Sequence, residues 1–180
     1  LSVEIVFETH SLSLDNERGV ATGWLDGCLS EAGRRLAKEL GERRRYDNIK
    51  VVFTSDLGRA IETAEIAFGG TDIPIYAEWR LRECNYGAMN GFPRVQFGDE
   101  GPRGVEDQYP NGESWRQAVE RVTGFLAELT RTHDGQRVVL IGHMATWYAL
   151  ECAANGAVLE DVLCAPFEWK EGWLYVLPAE

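Results

Sequence analysis

Two short apolar runs, Val3 to Phe7 and Val138 to Ile141, each end in a polar turn that carries a histidine: Phe7-Glu8-Thr9-His10 and Leu140-Ile141-Gly142-His143. Runs this short, bounded by turn residues, read as buried strands. Segments with helical spacing lie between and beyond them. Strands that alternate with helices restrict the chain to an α/β fold, a three-layer sandwich with a mainly parallel sheet and helices on both faces. In a parallel sheet both histidines leave at the same edge, at the carboxyl ends of the strands, where ligands and chemistry collect.

The remaining elements follow from local signals. Ser30 is the expected N-cap of a helix that carries Leu36 and Leu40 at helical spacing, with Gly41 as its expected end. Val51-Val52-Phe53 is a second strand, and Leu57 to Phe68 is a helix stopped by Gly69-Gly70. Ile73-Pro74-Ile75-Tyr76 reads as a short strand at a sheet edge, because proline cannot donate to an interior ladder. Glu113 to Thr132 is the longest helical pattern, with Val119, Val122, Leu126 and Leu129 on one side. Thr146 to Ala154 continues as helix, and Trp173 to Leu177 is a last strand. Arg82 to Gln108 has no clear period, and loops of such length tend to be functional. Within it, residues 92–109 are expected to form a lid that sets specificity, carrying Arg94 and Arg103 with Asp99, Glu100, Glu106 and Asp107.

A chain of 180 residues suggests a single domain, residues 1–180, with enough length to bury a core without staples. No apolar run approaches the roughly 20 residues of a membrane helix. The segment Leu1-Ser2-Val3-Glu4 has no basic region before its apolar run, so no secretory signal is expected. Cys28, Cys84, Cys152 and Cys164 form no C-x-x-C pair and no zinc-like spacing, so reduced thiols in the cytoplasm are expected. A net charge of -11 repels nucleic acid. Arg43-Arg44-Arg45 ends a helix, where cations suit the macrodipole, and is not read as a nucleic-acid site. The expected partner is a small molecule. A homo-oligomer is left open, with Trp169 and Trp173 as candidates for packing on the last strand or for a dimer contact.

A lone histidine after a strand is usually structural, but two of the chain's three histidines stand in that position. His133 ends a helix beside Asp134-Gly135 and is expected to be a surface cap. Arg59 lies in the first turn of its helix, where the macrodipole disfavours a cation, so another reason for it is expected. A helix N-terminus with an arginine nearby can hold a phosphate. Arg80-Leu81-Arg82-Glu83 brings two arginines and a carboxylate to the start of the long loop.

Several segments together resemble the histidine phosphatase superfamily, the phosphoglycerate mutase-like fold. Asn16 stands at the asparagine of its first motif. Gly23-Trp24-Leu25-Asp26 with Leu29-Ser30 and Gly33 is similar to its G-W-x-D-x-x-L-[ST]-x-x-G segment. Ser55-Asp56-Leu57-Gly58-Arg59-Ala60 with Thr63-Ala64 is similar to its S-x-L-x-R-A-x-x-T-A segment. Leu81-Arg82-Glu83, Pro110-Asn111-Gly112-Glu113-Ser114 and Gly142-His143 match its later segments in order. The resemblance implies a phosphomonoesterase that needs neither cofactor nor metal. It implies His10 as the nucleophile that becomes phosphohistidine, Arg59 and His143 as phosphate ligands, and Glu83 as proton donor to the leaving alcohol. Thr9, Ser11, Asn16, Arg82 and Met144 are the accompanying candidates for substrate binding.

Three positions depart from the family pattern. Its Arg-His-Gly reads Thr9-His10-Ser11 here, and Met144 follows the second histidine where glycine is usual. Arg18, Arg80 and Arg82 are the candidate replacements for the missing arginine. Two alternatives stay open beside the phosphatase: a weak or silent member that binds a ligand or partner, and an enzyme redirected to a non-phosphorylated substrate, for which Trp147 and Tyr148 would suit a partly apolar ligand. A mutase is not expected, since the family's mutases generally carry larger insertions around the site.

Overall fold

The computed structural model describes residues 2–97 and 104–178. In chain order the elements are β1 (Ser2–Thr9), α1 (Leu14–Arg18), β2 (Val20–Ala21), α2 (Glu31–Arg44), β3 (Val51–Thr54), α3 (Gly58–Phe68), β4 (Ile75–Ala77), β5 (Phe92–Pro93), α4 (Trp115–Thr132), β6 (Arg137–Gly142), α5 (Met144–Asn155), α6 (Leu159–Cys164) and β7 (Trp173–Pro178). The main sheet has the order β4-β3-β6-β1-β7 and is parallel except for β7, which runs antiparallel to β1.

The alternation of side chains along the central strands explains the three layers. Ile5, Phe7, Val138 and Leu140 face one core, shared with Phe125 and Leu126 of α4 and Ala149 of α5. Val6, Val139 and Ile141 face the other, with Leu40 of α2 and Ala60 and Ala64 of α3. A strand buried on both faces needs apolar residues at every position, which is why these segments read as continuous apolar runs.

Two sequence expectations need correction. Gly41 does not end α2, which runs on to Arg44. A Cβ at Gly41 would come within 2.3 Å of the Ala67 carbonyl oxygen, so the glycine is there for close packing against α3. The expected strand over residues 73–76 shifts to Ile75–Ala77 and, as expected, lies at the sheet edge. Pro74 stays outside it yet accepts the Val52 N–H through its carbonyl at 2.9 Å. His133 does cap α4, but its ring also packs edge-on against Phe53 at 5.3 Å. The segments α1, α6 and the β2–β5 pair were not expected.

Of the expected lid, residues 98–103 lie outside the described residues, Asp99, Glu100 and Arg103 among them. The rest begins with β5, paired to β2, and a 3-10 turn over Arg94–Phe97. No helix among the described residues is long and apolar enough to cross a membrane.

Candidate active site

Adjacent parallel strands bring the two histidines together. The register pairs Thr9 of β1 with Gly142 of β6, and the His10 N–H donates to the Gly142 carbonyl at 3.0 Å. The imidazole centroids end 5.0 Å apart. Both rings line a cavity of about 920 Å3 at the carboxyl edge of the sheet.

Arg59, in the first turn of α3, lies between the rings. Its Nε donates to His10 Nε2 and its Nη2 contacts His143 Nδ1, both long at 3.4 Å. The same guanidinium donates to the carbonyls of Gly23, at 2.9 Å, and Leu25, at 3.3 Å. Arg59 is only 3 % exposed and forms no ion pair with a carboxylate among the described residues. Burying a cation costs several kcal/mol unless a partner offsets it. Burial accordingly pushes the Arg59 pKa down.

These contacts determine the tautomers. His10 Nδ1 lies 2.7 Å from the Ser11 carbonyl, an acceptor, so Nδ1 carries the proton and Nε2 the lone pair. At His143, Nδ1 faces the Arg59 donor, which leaves the proton on Nε2. That Nε2 is buried without a partner among the described residues and belongs to a residue lining the cavity. Burial first, and the Arg59 charge second, lower the His10 pKa from 6.5 to about 3, with a further contribution from Arg94. The same two causes hold His143 well below its ordinary value. Both imidazoles are therefore neutral near pH 7.

Glu83 is buried at the start of α5. Its Oε1 accepts the N–H groups of Cys84 at 2.9 Å and Ala145 at 3.1 Å, and its Oε2 accepts that of Met144 at 3.3 Å. The Gly23-Trp24 segment positions both partners of the site. The Gly23 carbonyl holds Arg59, and the Trp24 indole donates to the Glu83 carbonyl at 2.6 Å. Gly23 has φ +58, and a Cβ there would collide with Asn90 Oδ1 at 1.9 Å, so this turn needs glycine.

Of the other candidates, Thr9, Ser11, Asn16 and Met144 line the cavity. The Thr9 hydroxyl accepts from the Trp169 indole at 3.2 Å. The Ser11 hydroxyl donates to the Gly33 carbonyl at 2.7 Å, so it anchors the loop against α2. The Asn16 amide oxygen accepts from the backbone N–H and hydroxyl of Ser13, closing the cap of α1.

Arg82 is not brought to the cavity. Asp56 takes its guanidinium through two contacts of 2.7 Å, and it stacks 4.6 Å over the Trp24 ring. Arg80 is likewise paired, with Glu78 and Glu128, and Arg18 is not among the lining residues. Besides Arg59, Arg94, one of the expected lid residues, lines the cavity and acts electrostatically on His10. Trp147 does not line the cavity, whereas Tyr148 does.

Comparison with known proteins identifies the family. The family model described as Histidine phosphatase superfamily (branch 1) matches residues 5–171. Phosphoserine phosphatase 1 of Hydrogenobacter thermophilus is 30 % identical over 165 residues, covering 87 % of this chain and 78 % of that protein. A phosphoglycerate mutase of Candida albicans is 41 % identical over 98 residues, and the match covers 52 % of this chain but only 40 % of the mutase. Among solved structures, Bacillus stearothermophilus YhfR superimposes with a TM-score of 0.84 at 27 % identity, covering 97 % of this chain and 90 % of that one.

Proposed function

Because the chain belongs to the histidine phosphatase superfamily, we propose that it hydrolyses a phosphomonoester through a phosphohistidine at His10. The observation that carries this reading is Arg59. A buried guanidinium with no carboxylate partner among the described residues, in only long contact with His10 Nε2 and with His143 Nδ1, beside an imidazole whose Nε2–H has no partner there, suits an anion at that point. A phosphoryl group meets all three at once.

In this reading the neutral His10 Nε2 attacks phosphorus as the ester P–O bond breaks. The Ser11 carbonyl keeps the proton on Nδ1 and stabilises the ring as it becomes charged. Arg59, His143 Nε2–H and the Asn16 amide NH2 donate to the phosphoryl oxygens, which is where such reactions gain most of their stabilisation. Glu83 gives its proton to the departing alkoxide, then takes one from the water that attacks phosphohistidine and releases inorganic phosphate. Met144 acts through its backbone N–H on Glu83. Arg94 supplies the second cation that Thr9 cannot. The cations are guanidinium groups, so turnover is expected in EDTA. The four free thiols suit a reducing compartment, and we place the protein in the cytoplasm.

One observation favours a second reading. The Thr9 hydroxyl is bonded to Trp169, so the position of the missing arginine is occupied by an indole contact, as in a binder without turnover. Release of phosphate from nitrophenyl phosphate in EDTA decides between them. The phosphatase reading expects turnover that falls by on the order of a hundredfold or more in His10→Gln. Equal rates in wild type and His10→Gln would reject it.

A further inference from the structure

The cavity is far larger than a phosphoryl group requires. Besides His10, Arg59 and His143 it is lined by six aromatic rings, Tyr86, Phe97, Tyr109, Trp115, Tyr148 and Phe167. Most of these rings pack edge to face against one another: Tyr86 on Phe97 at 4.9 Å, on Tyr109 at 5.1 Å and on Trp115 at 6.1 Å, and Trp115 on Tyr148 at 5.3 Å. Rings locked in this way form a rigid, preformed wall. Burial pushes the Tyr86 phenol well above its ordinary pKa and raises that of Tyr148, so these hydroxyls stay neutral.

The charges of the lining disfavour one class of substrate. The described lining side chains include three arginines, Arg43, Arg59 and Arg94, against four glutamates, Glu8, Glu39, Glu83 and Glu171. Arg43 meets Glu8 at 3.4 Å, shares it with Arg44, which is closer at 2.7 Å, and has an Nε without a partner among the described residues. If Arg59 and Arg94 serve the phosphoryl group, Arg43, beside Glu8, is the one lining cation left among the described residues, against four lining glutamates. A carboxylate held against these rings would be desolvated without a partner, which costs several kcal/mol.

Resting on the phosphatase reading above, we propose that the substrate is the phosphate monoester of a bulky, flat, uncharged alcohol, whose ring system lies against the wall of Tyr86, Phe97, Trp115, Tyr148 and Phe167. The cavity of about 920 Å3 is at the upper end of the range that encloses drug-sized ligands, about 300–1,000 Å3. A three-carbon phosphate would leave most of the aromatic wall uncovered.

The test uses primary alkyl esters, so that leaving-group acidity does not decide the result. The specificity constant for 2-naphthylmethyl phosphate is compared with those for glycerol 3-phosphate and phosphoserine. Binding of 2-naphthylmethanol, the alcohol without phosphate, is followed by tryptophan fluorescence. The inference expects at least tenfold preference for the naphthylmethyl ester. It also expects saturable binding of the alcohol, and a KM rise in Phe167→Ala at least tenfold larger for the naphthylmethyl ester than for glycerol 3-phosphate. Phe97→Ala, in a different element, should act in the same direction, which separates loss of the wall from a misfolded variant. Equal or better use of glycerol 3-phosphate or phosphoserine would overturn the inference and leave the phosphatase reading standing. If no ester is hydrolysed, the phosphatase reading falls, and alcohol binding alone then decides whether the wall is a ligand site: absence of binding overturns it.

Discussion

The neutrality of His10 can be tested through its effect on stability. In the unfolded chain a histidine titrates near 6.5, whereas His10 in the folded protein titrates near 3, chiefly because it is buried. Between these values the unfolded state binds a proton that the folded state does not. Stability therefore rises with pH across the window and is lost as pH falls below 6.5. The difference between pH 7 and pH 5 is about 2 kcal/mol for His10, worked from roughly 1.4 kcal/mol per pH unit below 6.5. His143, shifted in the same direction, adds a contribution of the same sign. Urea unfolding at the two pH values measures this. With a slope of about 2 kcal/mol per molar, His10 alone moves the midpoint by about 1 M. Carboxylates also titrate near pH 5, so the deciding quantity is a difference of differences. His10→Gln should reduce the loss between pH 7 and pH 5 by about 2 kcal/mol relative to wild type. An unchanged loss in the variant would show that His10 titrates normally, and the neutral-nucleophile argument would fail.

Three substitutions test other parts of the account. Glu83→Gln should lower turnover of an alkyl phosphate by at least ten times more than turnover of nitrophenyl phosphate, whose leaving group needs little protonation; equal losses would remove Glu83 as the acid. Thr9→Arg should raise phosphate affinity by about 10- to 100-fold, the worth of one charge-assisted hydrogen bond of about 1.5–3 kcal/mol, and should rescue Arg94→Gln. Ser11 needs no change alongside it, because its hydroxyl is turned to Gly33; no gain in inorganic phosphate binding would show that the cavity does not lack a cation. Gly41→Ala should lower stability by about 1–3 kcal/mol in thermal or urea unfolding, since its methyl would meet the Ala67 carbonyl; a neutral result would mean that α2 and α3 separate freely.

The central part of the fold was legible because its strands are buried on both faces. Such strands appear as unbroken apolar runs, and a parallel register between β1 and β6 then carries His10 and His143 to one edge. Arg59 was legible because a cation in the first turn of a helix needs a reason. What remained hidden depended on contacts distant in sequence. Glycine usually marks a helix end, and only the approach of α3 explains Gly41 within α2. Arg82 looks like a phosphate ligand beside Glu83, yet Asp56, 26 residues away, takes its guanidinium. Arg94 lies in a segment without period, where nothing local tells a solvated arginine from one that lines a cavity. The helices α1 and α6 have five and six residues, too few to show an apolar stripe.

The most direct measurement is the phosphorylated intermediate itself. Wild type is mixed with a 32P-labelled ester, quenched in alkali within milliseconds and digested, and the labelled peptide is sequenced. A phosphohistidine survives alkali and is lost in acid. The account predicts label on His10 alone, forming before phosphate is released, and none in His10→Gln. Multiple-turnover release of phosphate by wild type with no acid-labile label at any time, or label that persists in His10→Gln, would contradict it.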